Sequence, residues 1–201
     1  MSLSIVIQAG GESQRMGANK ALLPFLGVPL IKRVVDRVGH LAAELLVTTN
    51  KPAEFAFLGL PLFPDTVPGQ GALAGLYTAL SAARLSYVAV IACDMPFASP
   101  ELITYQLDCL VNEQVDLVVP LMNQGYEPFH AVYRRDTCLA AVTDALQNGK
   151  KRMISWFDQV KVRELDAGEI RRFDPRGLAF FNVNTPEEFA AAEQMAQASE
   201  G

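Results

Sequence analysis

The chain has 201 residues, 50% hydrophobic and 19% charged, the make-up of an ordinary globular protein with room for one sizeable core and a single domain spanning 1–201. A net charge of −5 and a pI near 5.1 argue against a nucleic-acid polymer as partner, since such proteins carry a basic face, so any anion binding has to be local. Apolar runs such as Val88 to Cys93 fall far short of the roughly 20 residues that cross a bilayer, and Met1-Ser2-Leu3-Ser4 lacks the basic start of a signal peptide. The expectation is a cytoplasmic protein with no membrane partner. Cys93, Cys109 and Cys138 are widely spaced without a C-x-x-C pair, which suits reduced core thiols rather than disulfides or a zinc site.

Taken in order, Ser4-Ile5-Val6-Ile7 predicts a buried strand, followed by a loop from Gln8 to Phe25 rich in glycine and carrying Arg15 and Lys20. Leu30, Val34, Val38 and Leu41 recur at helical spacing behind Pro29. Glu44 to Thr48 predicts a second strand, broken at Thr49-Asn50-Lys51-Pro52, and Pro61-Leu62-Phe63 a short third. Val67-Pro68-Gly69-Gln70-Gly71 is a second glycine-rich turn, opening a helix with Leu73, Leu76, Tyr77 and Leu80 on its apolar positions. Tyr87 to Ala92 is the clearest strand, a continuous apolar run of the kind a parallel sheet covered on both faces produces. Ser99-Pro100-Glu101 reads as the start of a helix, Val115 to Pro120 and Pro128 to Tyr133 as strands, Thr137 to Leu146 as a helix, and Thr185-Pro186-Glu187-Glu188 as the capped start of the last helix. Strands alternating with helices predict an α/β protein with a doubly wound, mostly parallel sheet, whose ligands bind beyond the carboxyl ends of the strands. Gly10, Asn50, Asp65 and Asp94 all fall there.

The loop after the first strand has the chemistry of an anion cradle. Gly10 and Gly11 lack a Cβ, so the backbone N–H groups can approach an oxyanion closely. Arg15 adds a two-pronged donor and Lys20 a point charge. The spacing is neither a Walker A loop nor a G-x-G-x-x-G fingerprint. Read without other context, such a cluster is equally an ordinary strand-to-helix turn. Asp65 and Asp94, at strand ends, are either turn residues or carboxylates for Mg²⁺, a hard ion that takes one or two carboxylates plus substrate phosphates.

Gln8-Ala9-Gly10-Gly11, Arg15-Met16-Gly17 and Lys20-Ala21-Leu22-Leu23 resemble the L-A-G-G-x-S-x-R-M-G-x-D-K signature of the molybdenum cofactor guanylyltransferase family. Two further motifs follow in the same order: Cys93-Asp94-Met95-Pro96-Phe97, and Asn182-Val183-Asn184-Thr185-Pro186 near the end. The resemblance implies a Rossmann-like three-layer sandwich of the nucleotide-diphospho-sugar transferase type, with a nucleotide-binding half over about 1–98 and an acceptor-binding half over about 99–201. It implies transfer of GMP from GTP to the phosphate of molybdenum-carrying molybdopterin, with release of pyrophosphate. Arg15, Lys20 and Asp94 are then the catalytic residues. Gln8, Ala9, Gly10, Gly11, Lys20, Thr48, Asn50, Asp65 and Gly71 are the nucleotide contacts. Mg²⁺, or Mn²⁺ in its place, is expected on Asp94 with Asn182, and a delivery protein that presents the cofactor is the protein partner such an activity suggests. His130, Lys151, Arg152 and Asn184 are the acceptor-side candidates, although a lone histidine is also an ordinary hydrogen-bonded core residue and Gly149 to Arg152 an ordinary solvated loop. Gln8 replaces a usual leucine, Asn19 an aspartate and Glu127 a frequent histidine, while Thr48 stands where some members have asparagine. The same chemistry with CTP, or with a sugar or alditol phosphate as acceptor, stays open at this point, as does a non-catalytic nucleotide-binding module.

Overall fold

A computed structural model describes residues 1–10, 19–67 and 71–200. The strands are β1 (Leu3–Gln8), β2 (Pro24–Phe25), β3 (Val28–Pro29), β4 (Glu44–Thr48), β5 (Leu62–Phe63), β6 (Tyr87–Ala92), β7 (Leu117–Met122), β8 (Gly125–Tyr126), β9 (His130–Arg134) and β10 (Val162–Leu165). The helices are α1 (Leu30–Val38), α2 (Pro52–Phe55), α3 (Ala72–Ala82), α4 (Pro100–Asn112), α5 (Arg135–Gln147), α6 (Ala167–Arg171) and α7 (Pro186–Glu200). The main sheet runs β10-β7-β9-β6-β1-β4-β5, with β8 paired to β7. All neighbours on that path are parallel except those of β9, which runs against both β6 and β7.

Alternation along the strands sorts the side chains into two cores. Ile5, Ile7, Ala89, Ile91, Val118 and Val132 pack on one face with α1 and α4. Val6, Val88, Val90, Leu117, Val119, Ala131 and Tyr133 pack on the other with α3 and α5. Because both faces are covered, β1 and β6 are apolar without a polar stripe, which is why these two strands are so plain in the sequence. The result is the three-layer sandwich expected. A third, smaller cluster joins Phe25, Leu30 and Phe97 to Val183, Ala192 and Ala196, and so pins the last helix beside the β2–β3 hairpin.

Helix ends follow the expected chemistry. The Ser99 hydroxyl accepts from Leu102 N at 3.1 Å ahead of Pro100, and the Thr185 hydroxyl accepts from Glu188 N at 3.1 Å while the Glu188 carboxylate accepts from Thr185 N at 3.0 Å. Pro29 closes the hairpin and precedes α1 instead of lying inside it. The strand expected over 115–120 begins at Leu117 and runs to Met122, since Val115 N still bonds Leu110 O at the end of α4 and β8 draws the strand onward. The three cysteines are buried and free. No helix among the described residues is long and apolar enough to cross a membrane.

Candidate active site

The carboxyl ends of β1, β4 and β6 open into a cleft of about 700 Å³. In register, Gln8 lies beside Thr48 on one side and Ala92 on the other, and Ala92 N bonds Phe129 O at 3.0 Å. Four neighbouring chain segments therefore end in one row, and the cleft lies beyond it.

Lys20 and Asp94 form the centre of this cleft. A short 3₁₀ turn, Lys20–Leu22, is capped by the Asn19 side chain, which accepts from Ala21 N at 3.3 Å and donates to Glu54 at 2.8 Å. With Ala21 buried, Lys20 is turned outward to Asp94, Nζ to Oδ2 at 2.5 Å, and to Asn184 Oδ1 at 2.8 Å. Asp94 follows the end of β6, where Cys93 N is tied to Gln8 O at 3.1 Å. Its own carbonyl accepts from Val183 N at 3.0 Å. That bond docks the Asn182-Val183-Asn184 segment: Val183 enters the third core cluster while Asn182 reaches the cleft and Asn184 reaches Lys20. Burial, together with the Asp94 carboxylate next door, pushes the Cys93 thiol up to about 12, so it stays a neutral part of the wall.

The opposite wall is built by Asp65 and Asn50. Asn50 donates to Asp65 Oδ2 at 2.7 Å and accepts from Asp65 N at 3.0 Å, a two-point clasp between the segments after β4 and β5. Asp65 Oδ1 is buried with no hydrogen-bond partner among the described residues. Gly10 lies against this carboxylate, and a Cβ there would stand 3.4 Å from Oδ2. Gly71, at φ +78°, delivers the chain into α3.

Gln8, Gly10, Lys20, Asn50, Asp65, Gly71, Asp94 and Asn182 thus share one cleft, with Asn184 at its edge through Lys20. Gly11 and Arg15 lie outside the described residues, as do Pro68, Gly69 and Gln70 of the second glycine turn. The remaining expected residues stand elsewhere. Thr48 is fully buried one strand away from Gln8 and does not line the cleft. Ala9 is partly buried and spends its N–H on Thr48 O at 2.8 Å. His130 is a core residue and not a surface contact: it is fully buried, its Nε2 accepts from Ser99 N at 3.0 Å, and its ring meets Phe180 edge-on. Burial holds its pKa down at about 4. Lys151 and Arg152 are exposed on the loop after α5 and line no part of the cleft.

Several cleft residues were not among the site candidates read from the sequence. Glu127 and Phe129 come from the turn into β9, and Gly75 from the middle of α3. Gly75 has a tertiary reason, because a Cβ on it would lie 1.9 Å from Gln8 Nε2. A glycine inside an otherwise apolar helix was the available hint.

Residues 5–162 match the MobA-like NTP transferase domain. The chain belongs to that family. A protein of Pelotomaculum thermopropionicum named as a probable molybdenum cofactor guanylyltransferase is 36% identical over 194 residues, 96% of this chain and 93% of its own length. The molybdenum cofactor guanylyltransferase of Desulfosudis oleivorans is 32% identical, covering 94% of this chain and 93% of that one. Among solved structures, molybdopterin-guanine dinucleotide biosynthesis protein A from Archaeoglobus fulgidus shares the fold at a TM-score of 0.83 and 23% identity, over 97% of this chain and 99% of that one. The Lys20–Asp94 centre and the Asn50–Asp65 clasp both lie within the matched residues 5–162.

Proposed function

We propose that this nucleotidyltransferase moves GMP from GTP to the terminal phosphate of molybdenum-carrying molybdopterin, releasing pyrophosphate. The observation that carries the reading is the Lys20–Asp94–Asn184 cluster, which places one ammonium at the head of a cleft walled by oxygen ligands. The relatives' names supply the substrates. In this reading the nucleoside lies towards Gln8, Asn50, Asp65 and Gly71, and its phosphates run past Gly10 to Lys20. The acceptor phosphate is already anionic, so its oxygen attacks the α-phosphorus without a general base, while the bond to the bridging oxygen breaks and pyrophosphate carries the charge away. Positioning and charge neutralisation then account for the rate, and Lys20 is the described residue that supplies positive charge where it develops.

The residues fit a divalent cation. Asp65 Oδ1 is a buried carboxylate oxygen without a protein partner among the described residues, and Asp94 and Asn182 add oxygens elsewhere in the same cleft. Mg²⁺ asks for only one or two protein carboxylates, since it keeps several waters and completes its shell with substrate phosphates. Asp94 with Asn182, and Asp65 from the facing wall, are the groups to hold it, and when bound it neutralises phosphate charge.

The test is a thermal-shift panel of GTP, CTP, ATP and UTP with Mg²⁺, followed by pyrophosphate release with the acceptor. A ligand that binds only the folded chain raises its midpoint. GTP alone shifting the midpoint, less so in Asp94→Ala, with acceptor-dependent pyrophosphate release, is the expected result. Preference for another nucleotide, or no acceptor-dependent release, rejects it.

A further inference from the structure

We infer that Glu127 and Phe129 recognise the bicyclic ring of the acceptor, Glu127 by accepting hydrogen bonds from the ring N–H and exocyclic amino group of its 2-amino-4-oxopyrimidine edge, and Phe129 by stacking on its face. The inference rests on the proposed reaction and names residues for its second substrate.

Both side chains line the cleft, and the backbone that carries them is fixed on every side. Glu127 N donates to Pro120 O at 3.0 Å, Glu127 O accepts from His130 N at 3.1 Å, and Phe129 O accepts from Ala92 N at 3.0 Å. Pro128 O accepts from the buried Tyr133 hydroxyl at 2.6 Å. Despite this anchoring, the Glu127 carboxylate makes no hydrogen bond or ion pair with a described residue. Burial raises its pKa and nothing offsets the effect. Its oxygens face the open cleft with no protein donor, so a ligand there can exchange water for its own N–H groups.

Charge decides what that ligand is. The carboxylate repels phosphate, so the triphosphate belongs at Lys20, and an acceptor-only group calls for adjacent N–H donors. A 2-amino-4-oxopyrimidine presents two such donors side by side. Guanine and the pterin of the acceptor both carry that edge, and sheet order separates them. Glu127 and Phe129 precede β9, whereas the Asn50–Asp65 clasp follows β4, with β6 and β1 between. Three strand spacings amount to about 14 Å, so the ring on the β9 side is not the one held at the clasp. Asp94 lies between the two walls, where the phosphates of the two substrates meet.

The experiment uses the full chain with GTP present and 6-hydroxymethylpterin as probe, its binding followed by fluorescence. Lumazine, which carries oxygen in place of the 2-amino group, is the comparison ligand. Wild type is expected to bind the pterin at least about tenfold more tightly than lumazine. Glu127→Gln, nearly the same size, should lose about tenfold in pterin affinity and most of the discrimination, with GTP affinity and thermal midpoint unchanged. Phe129→Leu should weaken both ring systems alike. Equal pterin affinity in wild type and Glu127→Gln, no pterin binding by wild type, or a loss of GTP affinity in place of pterin affinity overturns the inference. Acceptor-dependent pyrophosphate release by wild type, measured alongside, reports separately on the reaction itself.

Discussion

Lys20 Nζ meets Asp94 Oδ2 at 2.5 Å although 74 positions separate the two residues. The 3₁₀ turn after Asn19 and the end of β6 exist independently, and the ion pair is where the fold brings them together. Only about 15% of either side chain is exposed, so the pair lies inside the cleft wall rather than in bulk solvent. Lys20→Ala should lower kcat/KM by at least about a hundredfold, the scale of removing one charge-stabilising donor. The thermal midpoint should move by only a few degrees. Steady-state pyrophosphate release and calorimetry on the same samples check both, and near-normal turnover would remove Lys20 from the mechanism.

The Asn50–Asp65 clasp should act as one unit. Asn50→Ala removes the donor to the Asp65 carboxylate and the acceptor of the Asp65 backbone N–H, and is expected to raise KM for GTP by about tenfold, the worth of one charge-assisted hydrogen bond, with little change in kcat. The double variant with Asp65→Ala should be no worse than Asp65→Ala alone, because neighbours in one network are not additive. Full additivity in GTP titrations would show the two residues acting apart.

Gly75 and Gln8 are coupled. Glycine to alanine inside a helix normally stabilises by about 1 kcal/mol. At Gly75 the new Cβ would stand 1.9 Å from Gln8 Nε2, the end of a flexible side chain that has to swing aside into the cleft, so Gly75→Ala should give less than that gain. In a Gln8→Ala background nothing has to move and the full gain of about 1 kcal/mol should appear. Urea unfolding of the four proteins closes the cycle, and an equal Gly75→Ala effect in both backgrounds contradicts the contact.

His130 gives the fold a pH dependence. Burial holds its pKa at about 4 against an ordinary 6.5, with Asp174 opposing in part. As pH falls through 6.5 the unfolded chain takes up the proton first, so this contribution is fully present above pH 6.5 and is lost between 6.5 and 4, on the order of 3 kcal/mol at the bottom. His130→Gln should flatten the stability difference between pH 7 and pH 5. Parallel denaturation curves of wild type and variant at both pH values measure it, and identical slopes would mean that the ring titrates alike in the folded and unfolded chain.

Local chemistry determined much of this protein. The apolar run Tyr87 to Ala92, the Ser99-Pro100 helix start and the Thr185–Glu188 cap depend on period, branching and capping within a few residues, and they stand where the sequence puts them. Resemblance to the family's motifs likewise pointed to Lys20, Asp94 and Asn184. Other features were invisible for the same reason. Strand β10 is four residues at the sheet edge with Arg163 and Glu164 inside it, and the β2–β3 hairpin is two residues a side, too short in each case for a periodic signal. Tertiary structure alone decided which polar residues face the cleft. Thr48 ends its strand inside the core, and His130 turns inward to cap Ser99 N. Glu127, one turn earlier, is left facing the cleft. Strand order and register fix those directions through contacts between distant segments, and no window of neighbouring residues contains them.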